Sequence, residues 1–388
     1  MADEITSIPV GKLGIIALPG CEEMAARIND YIATSRKELD SEHKSTILFD
    51  GFLKDNYIID TSFHRFGTGE GKVVIHQSVR GYDLYILCDM FNYGVMSERY
   101  GQKYPKCPDE HYADLKRVIG AVAGKAKRIT VIMPMLYEGR QHKRSSRESL
   151  DCAVVLKELC DMMGVENIIT FDAHDPRVQN AIPNNSFENF KTTYQMIKAL
   201  VKTHRDIEID KDKLMIISPD EGGMGRCIYY STVLGVDLGM FYKRRDYSVI
   251  VNGRNPILAH EFLGSNVEGK DVIVVDDMIS SGESIIEVAK KLKELKAKRI
   301  FVCTSFGLFC NGFAEFDKAY EEGMIDTVFT TNLTYRPAEL LARPWYHEVD
   351  MSKYIALITD TLNSDLTLST LVDPNDRIQA YLKKYGYK

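Results

Sequence analysis

Residues 272–284 read VIVVDDMISSGES. Val272–Val275 is a run of β-branched residues with no polar break, the pattern of a strand covered on both faces. It ends in two acids, Asp276 and Asp277. A short loop follows, Ser280, Ser281, Gly282, Glu283 and Ser284. From Glu283 to Lys298, the residues Ile285, Val288, Ala289, Leu292 and Leu295 share one face and lysines fill the other, which predicts a helix. In parallel sheets, ligands bind at the carboxyl ends of strands. A helix start offers unpaired N–H groups and a positive dipole end, which suit a phosphate. Serine hydroxyls add donors, and Gly282 lets the backbone approach closely. An acidic pair at a buried strand end is costly without a purpose, and it can accept from two vicinal sugar hydroxyls. The alternative is a plain strand–turn–helix with serine caps.

Working outward, similar apolar runs predict strands at Leu13–Leu18, Lys72–His76, Leu84–Cys88, Ile129–Met133, Ile168–Phe171, Leu214–Ser218, Ile300–Thr304 and Thr327–Thr330. Amphipathic stretches separate them, so the fold class is α/β with mostly parallel sheets flanked by helices. The chain also repeats itself. YDLYILCDM (82–90) resembles KDVIVVDDM (270–278), KAKRI occurs at 125–129 and 296–300, and GVENIITFDAHD (164–175) resembles GMIDTVFTTNL (323–333). Three matches in one order predict two related domains, 1–200 and 201–388, with the last helix packing on the first. Cys88 and Asp89 are the counterparts of Asp276 and Asp277, so only the second half keeps both carboxylates.

The 388 residues are 45% hydrophobic and 27% charged, the balance of a globular chain. Acids outnumber bases 55 to 49. That argues against a generic nucleic-acid or anionic-membrane partner. No run approaches a membrane span and the start lacks a signal-peptide pattern. The 8 cysteines form no CxxC pair. Reduced thiols in a cytoplasmic protein are expected rather than zinc or disulfides.

Three more segments carry chemistry. Lys243, Arg244 and Arg245 follow an apolar strand at 235–241. Adjacent cations repel unless an anion is near, and guanidinium suits polyphosphate, although a solvated turn also fits. In FDAHD, Asp172 and His174 stand at a strand end, where they can hold Mg2+ or orient phosphates. A capping Asp with a satisfied histidine is the alternative. In SPDEGG (218–223), Asp220 can reach a sugar or a hydrated cation, with a Pro–Asp turn as the alternative. The other histidines, His64 and His76 among them, show no ligand spacing.

Taken together, these stretches resemble the ribose-phosphate pyrophosphokinase family of the phosphoribosyltransferase-like fold. RFGTGE (65–70), QSVRGYDLYIL (77–87), GRQHKRSSRES (139–149), FDAHDPRVQ (171–179), ISPDEGG (217–223), YKRRDYS (242–248) and the 272–284 loop follow in family order. The resemblance implies transfer of the β,γ-diphosphoryl group of ATP to the anomeric hydroxyl of ribose 5-phosphate, with Mg2+ as cofactor. It assigns ribose phosphate to Asp220, Asp276, Asp277 and Ser280, Ser281, Gly282, Glu283 and Ser284. Lys243 and Arg245 inherit the catalytic role of stabilising the group in transit. ATP falls to Phe66, Glu70, Arg140, Gln141, His142 and His174, and metal to Asp172 and His174. Phe66 and Glu70 belong to a loop that the family offers from a neighbouring subunit, so a homo-oligomer, a dimer or a hexamer built from dimers, is implied.

The chain departs from the family at several places. Thr68 and His142 stand where the family has Asp, Glu138 and Gly139 replace a Tyr-Ala pair, and Asn180–Pro183 replaces most of a Gly-Phe-Phe-acid pattern. Two alternatives use the same residues: a phosphoribosyltransferase, and a non-catalytic homologue that regulates a true synthetase. The stretches 34–62 and 90–117 read as inserts without a motif.

Overall fold

The computed structural model describes residues 8–42, 49–144, 146–245 and 257–387. The chain divides into two compact units that are not single segments. The first comprises 1–191, 333–335 and 350–373; the second comprises 192–332, 336–349 and 374–388.

In the first unit the strands are β1 (Lys12–Ala17), β2 (Thr61–Arg65), β3 (Gly71–Ile75), β4 (Tyr82–Leu87), β5 (Met96–Arg99), β6 (Gln102–Pro105), β7 (Arg128–Ile132), β8 (Asn167–Phe171) and β9 (Ser186–Phe190). The main sheet runs β1-β4-β7-β8-β9, all parallel; β2–β3 and β5–β6 are separate antiparallel hairpins. The second unit has β10 (Leu214–Ser218), β11 (Asp237–Arg245), β12 (Ile257–Leu263), β13 (Asp271–Ile279), β14 (Arg299–Gly307), β15 (Thr327–Thr331) and β16 (Tyr346–Val349). Its sheet runs β12-β11-β10-β13-β14-β15-β16, with β12 antiparallel at one edge.

The internal matches fall on equivalent strands. β4 sits between β1 and β7 as β13 sits between β10 and β14, and β8 and β15 follow in turn. The central strands are near-continuous apolar runs, as suits strands covered on both faces. Leu84, Ile86 and Val131 lie in one core; Val272, Val274 and Val302 lie in the other.

Three expectations change. The first segment of the second unit begins at Thr192, not 201, because Met196, Ile197, Leu200 and Val201 of helix Thr193–Thr203 join that unit's core. The terminal helix Asn375–Lys384 buries Ile378 and Leu382 in the same core, so it belongs to the second unit. The segment that returns to the first unit is helix Ser352–Asn363, held by Arg36, which is 1% exposed and donates to Asp360 and Asn363 at 2.7 Å each. The helix after Gly282 stops at Glu294; Leu295 is its cap and is exposed, because Lys296 turns the chain at φ +65°.

Candidate active site

The carboxyl ends of the adjacent parallel strands β10 and β13 carry the ribose-phosphate candidates of the second unit. Asp277 is 5% exposed, and its N–H donates to Asp276 Oδ1 at 2.8 Å. Burial, and then the neighbouring Asp277 carboxylate, push the Asp276 carboxyl well above the usual carboxylate range. Arg226, on helix Met224–Leu234, opposes this from 3.8 Å. It stands three residues after the SPDEGG turn, outside every motif read in the sequence.

The loop after β13 opens helix Glu283–Glu294, whose N-cap residue, Gly282, brings no capping side chain. Gly282 sits at φ +94°, and a Cβ there would fall 2.3 Å from Phe316. Glycine is therefore required by both conformation and space. Glu283 N–H reaches Ser281 Oγ at 3.4 Å. Ser281 and Ser280 are half-buried, Glu283 and Ser284 exposed. The segment after β14 braces this loop: Cys310 N–H donates to the Ser280 carbonyl at 2.8 Å, and Asn311 donates to Glu283 at 3.3 Å. No sequence signal marked that segment, because its bonds run largely through the backbone.

Asp220 is exposed in the neighbouring turn, where its Oδ1 accepts the Gly223 N–H at 3.1 Å. The Pro–Asp turn alternative is thus present, and the second carboxylate oxygen can still reach a ligand. Lys243 and Arg245 lie on β11, opposite His260 and Ile257 in the backbone register of β12. Their side chains, and residues 246–248 of the YKRRDYS motif, lie outside the described part.

In the first unit, Asp172 follows β8 directly, buried and at φ +38°. A non-glycine residue in that region is strained, a frequent mark of functional positions. His174 is exposed, with its ring 5.3 Å from that of His142. His142 Nε2 lies 3.4 Å from Asp175, whose carboxylate also binds Arg177, and Arg177 holds it well below the usual carboxylate range. Arg140 and Gln141 are exposed beside them in sequence. Phe66, 55% exposed, and Glu70 close the β2–β3 hairpin; Thr68, in the place of an acid, donates to Glu70 at 2.9 Å. Among the described residues, no three or more His, Cys, Asp or Glu gather as a metal cage. The buried Asp172 carboxylate still fits Mg2+, which takes one or two protein oxygens and completes its shell with water and phosphate, and His174 stands two residues on. No helix among these residues is long and apolar enough to cross a membrane.

Comparison with known proteins bears on the family and the fold. A family model described as the N-terminal domain of ribose phosphate pyrophosphokinase matches residues 13–164, and one described as a phosphoribosyl transferase domain matches 186–331. A ribose-phosphate pyrophosphokinase of Mycoplasma pneumoniae is 28% identical over 275 residues, 69% of this chain and 74% of that one. One of Vibrio cholerae is 26% identical over 318 residues, 80% of this chain and 90% of that one. The crystal structure of phosphoribosylpyrophosphate synthetase from Mycobacterium smegmatis, 20% identical, shares the fold with a TM-score of 0.71, over 91% of this chain and 99% of that one. With two α/β units of matching strand order, an acidic pair leading into a helix start, and these matches across most of its length, the chain belongs to the ribose-phosphate pyrophosphokinase family.

Proposed function

We propose that the protein is a ribose-phosphate pyrophosphokinase that moves the β,γ-diphosphoryl group of ATP to the anomeric hydroxyl of ribose 5-phosphate, releasing AMP. The observation that carries this is the Asp276–Asp277 pair leading into a helix start whose N-cap is a glycine, beside the Asp220 turn. Loop 280–284 would take the 5-phosphate through its N–H groups and serine hydroxyls. Asp276 and Asp277 would accept from the 2- and 3-hydroxyls, and Asp220 would hold the sugar's remaining side. Fixing the sugar at three points places its anomeric oxygen for attack, and such positioning supplies much of the rate. Lys243 and Arg245 would neutralise charge on the diphosphoryl group in transit.

On the nucleotide side, Phe66 would stack on adenine with Glu70, Arg140, Gln141 and His142 around it. Asp172 would hold Mg2+ through its carboxylate, with His174 reaching the metal's water shell or the phosphates it carries, and the ion would supply charge neutralisation on the phosphates. The exposed Phe66 tip supports a homo-oligomer in which one subunit offers this hairpin to another.

The test is AMP release from ATP, Mg2+ and ribose 5-phosphate, abolished in Lys243→Ala. A second reading, a non-catalytic homologue, is favoured by His142 and Arg177 occupying Asp175. Absence of AMP with a folded protein that still binds ribose 5-phosphate would select it. AMP formation excludes it, and excludes a phosphoribosyltransferase as well.

A further inference from the structure

His64 and His76 are 12 positions apart in sequence, yet the β2–β3 hairpin brings both to a single point. Ser62 Oγ lies 3.0 Å from His64 Nε2 and 2.8 Å from His76 Nε2. The ladder fixes this convergence. Ser62 pairs with Val74, His64 with Lys72, and the His76 N–H continues the pairing to the Asp60 carbonyl at 2.9 Å. Alternation therefore puts Asp60, Ser62, His64, Lys72, Val74 and His76 on one face. The opposite face, Phe63, Val73 and Ile75, packs on the core of the first unit and holds the hairpin in place. Both imidazoles are exposed.

We infer that this outer face binds one borderline divalent transition cation, of the Zn2+ class, through the Nε2 atoms of His64 and His76. The chemistry follows from the donors. Neutral imidazole suits zinc, cobalt, nickel or copper and is a poor choice for Mg2+, which prefers oxygen. A single hydroxyl bridging two ring nitrogens must donate to one and accept from the other, so one ring carries its proton on Nε2. Rotation of the Ser62 hydroxyl and a shift of that ring to its Nδ1–H tautomer free both Nε2 atoms, with each imidazole still neutral, to approach a metal at about 2.0–2.1 Å. Water completes the shell. Asp60 and Lys72 share the face with opposite charges, so the site gains no net repulsion from its charged neighbours. The site is separate from the Asp172–His174 pair and does not depend on the proposed reaction.

Equilibrium dialysis of the tag-free full chain against Zn2+, in excess Mg2+, tests it. Wild type should hold one Zn2+ that Mg2+ does not displace. His64→Ala and His76→Ala should each weaken it by about tenfold or more, with unchanged circular dichroism and thermal midpoint in the absence of metal. His76→Gln provides a second variant that keeps a polar side chain there. His174→Ala should bind as wild type does. Retention of zinc by the His64 and His76 variants, no zinc in wild type, or loss confined to His174→Ala would overturn the inference.

Discussion

Arg128 lays its guanidinium across the Asp83 carboxylate, donating at 2.7 and 2.8 Å, at the point where β7 begins beside β4. The second unit repeats the arrangement: Arg299 donates to Asp271 at 3.0 and 2.6 Å where β14 begins beside β13. Both arginines belong to the two KAKRI pentapeptides. The duplicated sequence is thus a duplicated ion pair, joining neighbouring parallel strands at their amino ends in each sheet.

Asp83 is fully buried and also accepts from Tyr85 and Asn363 at 2.9 Å each. Arg128→Ala should therefore cost about 3–5 kcal/mol, because it strands a buried charge. Arg299→Ala should cost less, since Arg299 is more exposed. Urea unfolding of the two variants gives the comparison. Equal losses would mean that the pairs are worth the same despite their different burial.

The raised Asp276 carboxyl makes the stability of the substrate-free protein pH-dependent. The folded state keeps a proton that the unfolded chain releases near its ordinary value of about 3.9. The contribution is fully present below that value and is lost as pH rises through the higher folded value. Wild type should lose stability from about pH 5 to about pH 8 more steeply than Asp276→Asn does. Parallel slopes would show that another group carries the effect.

Gly282→Ala forces a side chain into Phe316 at φ +94°. Overpacking costs about 1–3 kcal/mol, and the loop can relieve it by shifting. The expected outcome is a raised KM for ribose 5-phosphate with little change in KM for ATP. Gly282→Ala together with Phe316→Leu should recover part of the loss. If both KM values rise together, the loop has no selective role on the sugar side.

Phe66 leaves more than half of its surface in solvent. Phe66→Ala should change stability by no more than about 0.5 kcal/mol while raising KM for ATP. Unchanged KM would remove this tip from nucleotide binding.

The central strands of both sheets were legible because each is an uninterrupted apolar run. The edges were harder. β9, SFENF, and β16, YHEV, mix polar and apolar residues because each pairs on only one side. Asp276, Asp277 and the serine loop could be read because strand, acids and helix are contiguous. Arg226 and Phe316 could not, since each meets the loop only after a helix has packed. His64 and His76 have no useful spacing along the chain; their meeting is a property of the hairpin register.

The return of helix Ser352–Asn363 to the first unit has a consequence for how the chain is made. Asn363 donates to Asp83 and to the Gly11 carbonyl, and Arg36 awaits Asp360. A ribosome delivers these partners 280 to 352 residues apart. The first unit must leave its buried Arg36 and Asp83 incompletely paired through most of synthesis. Nascent chains halted before residue 350 should stay protease-sensitive in their N-terminal half, and the unit born first should be the one that finishes late.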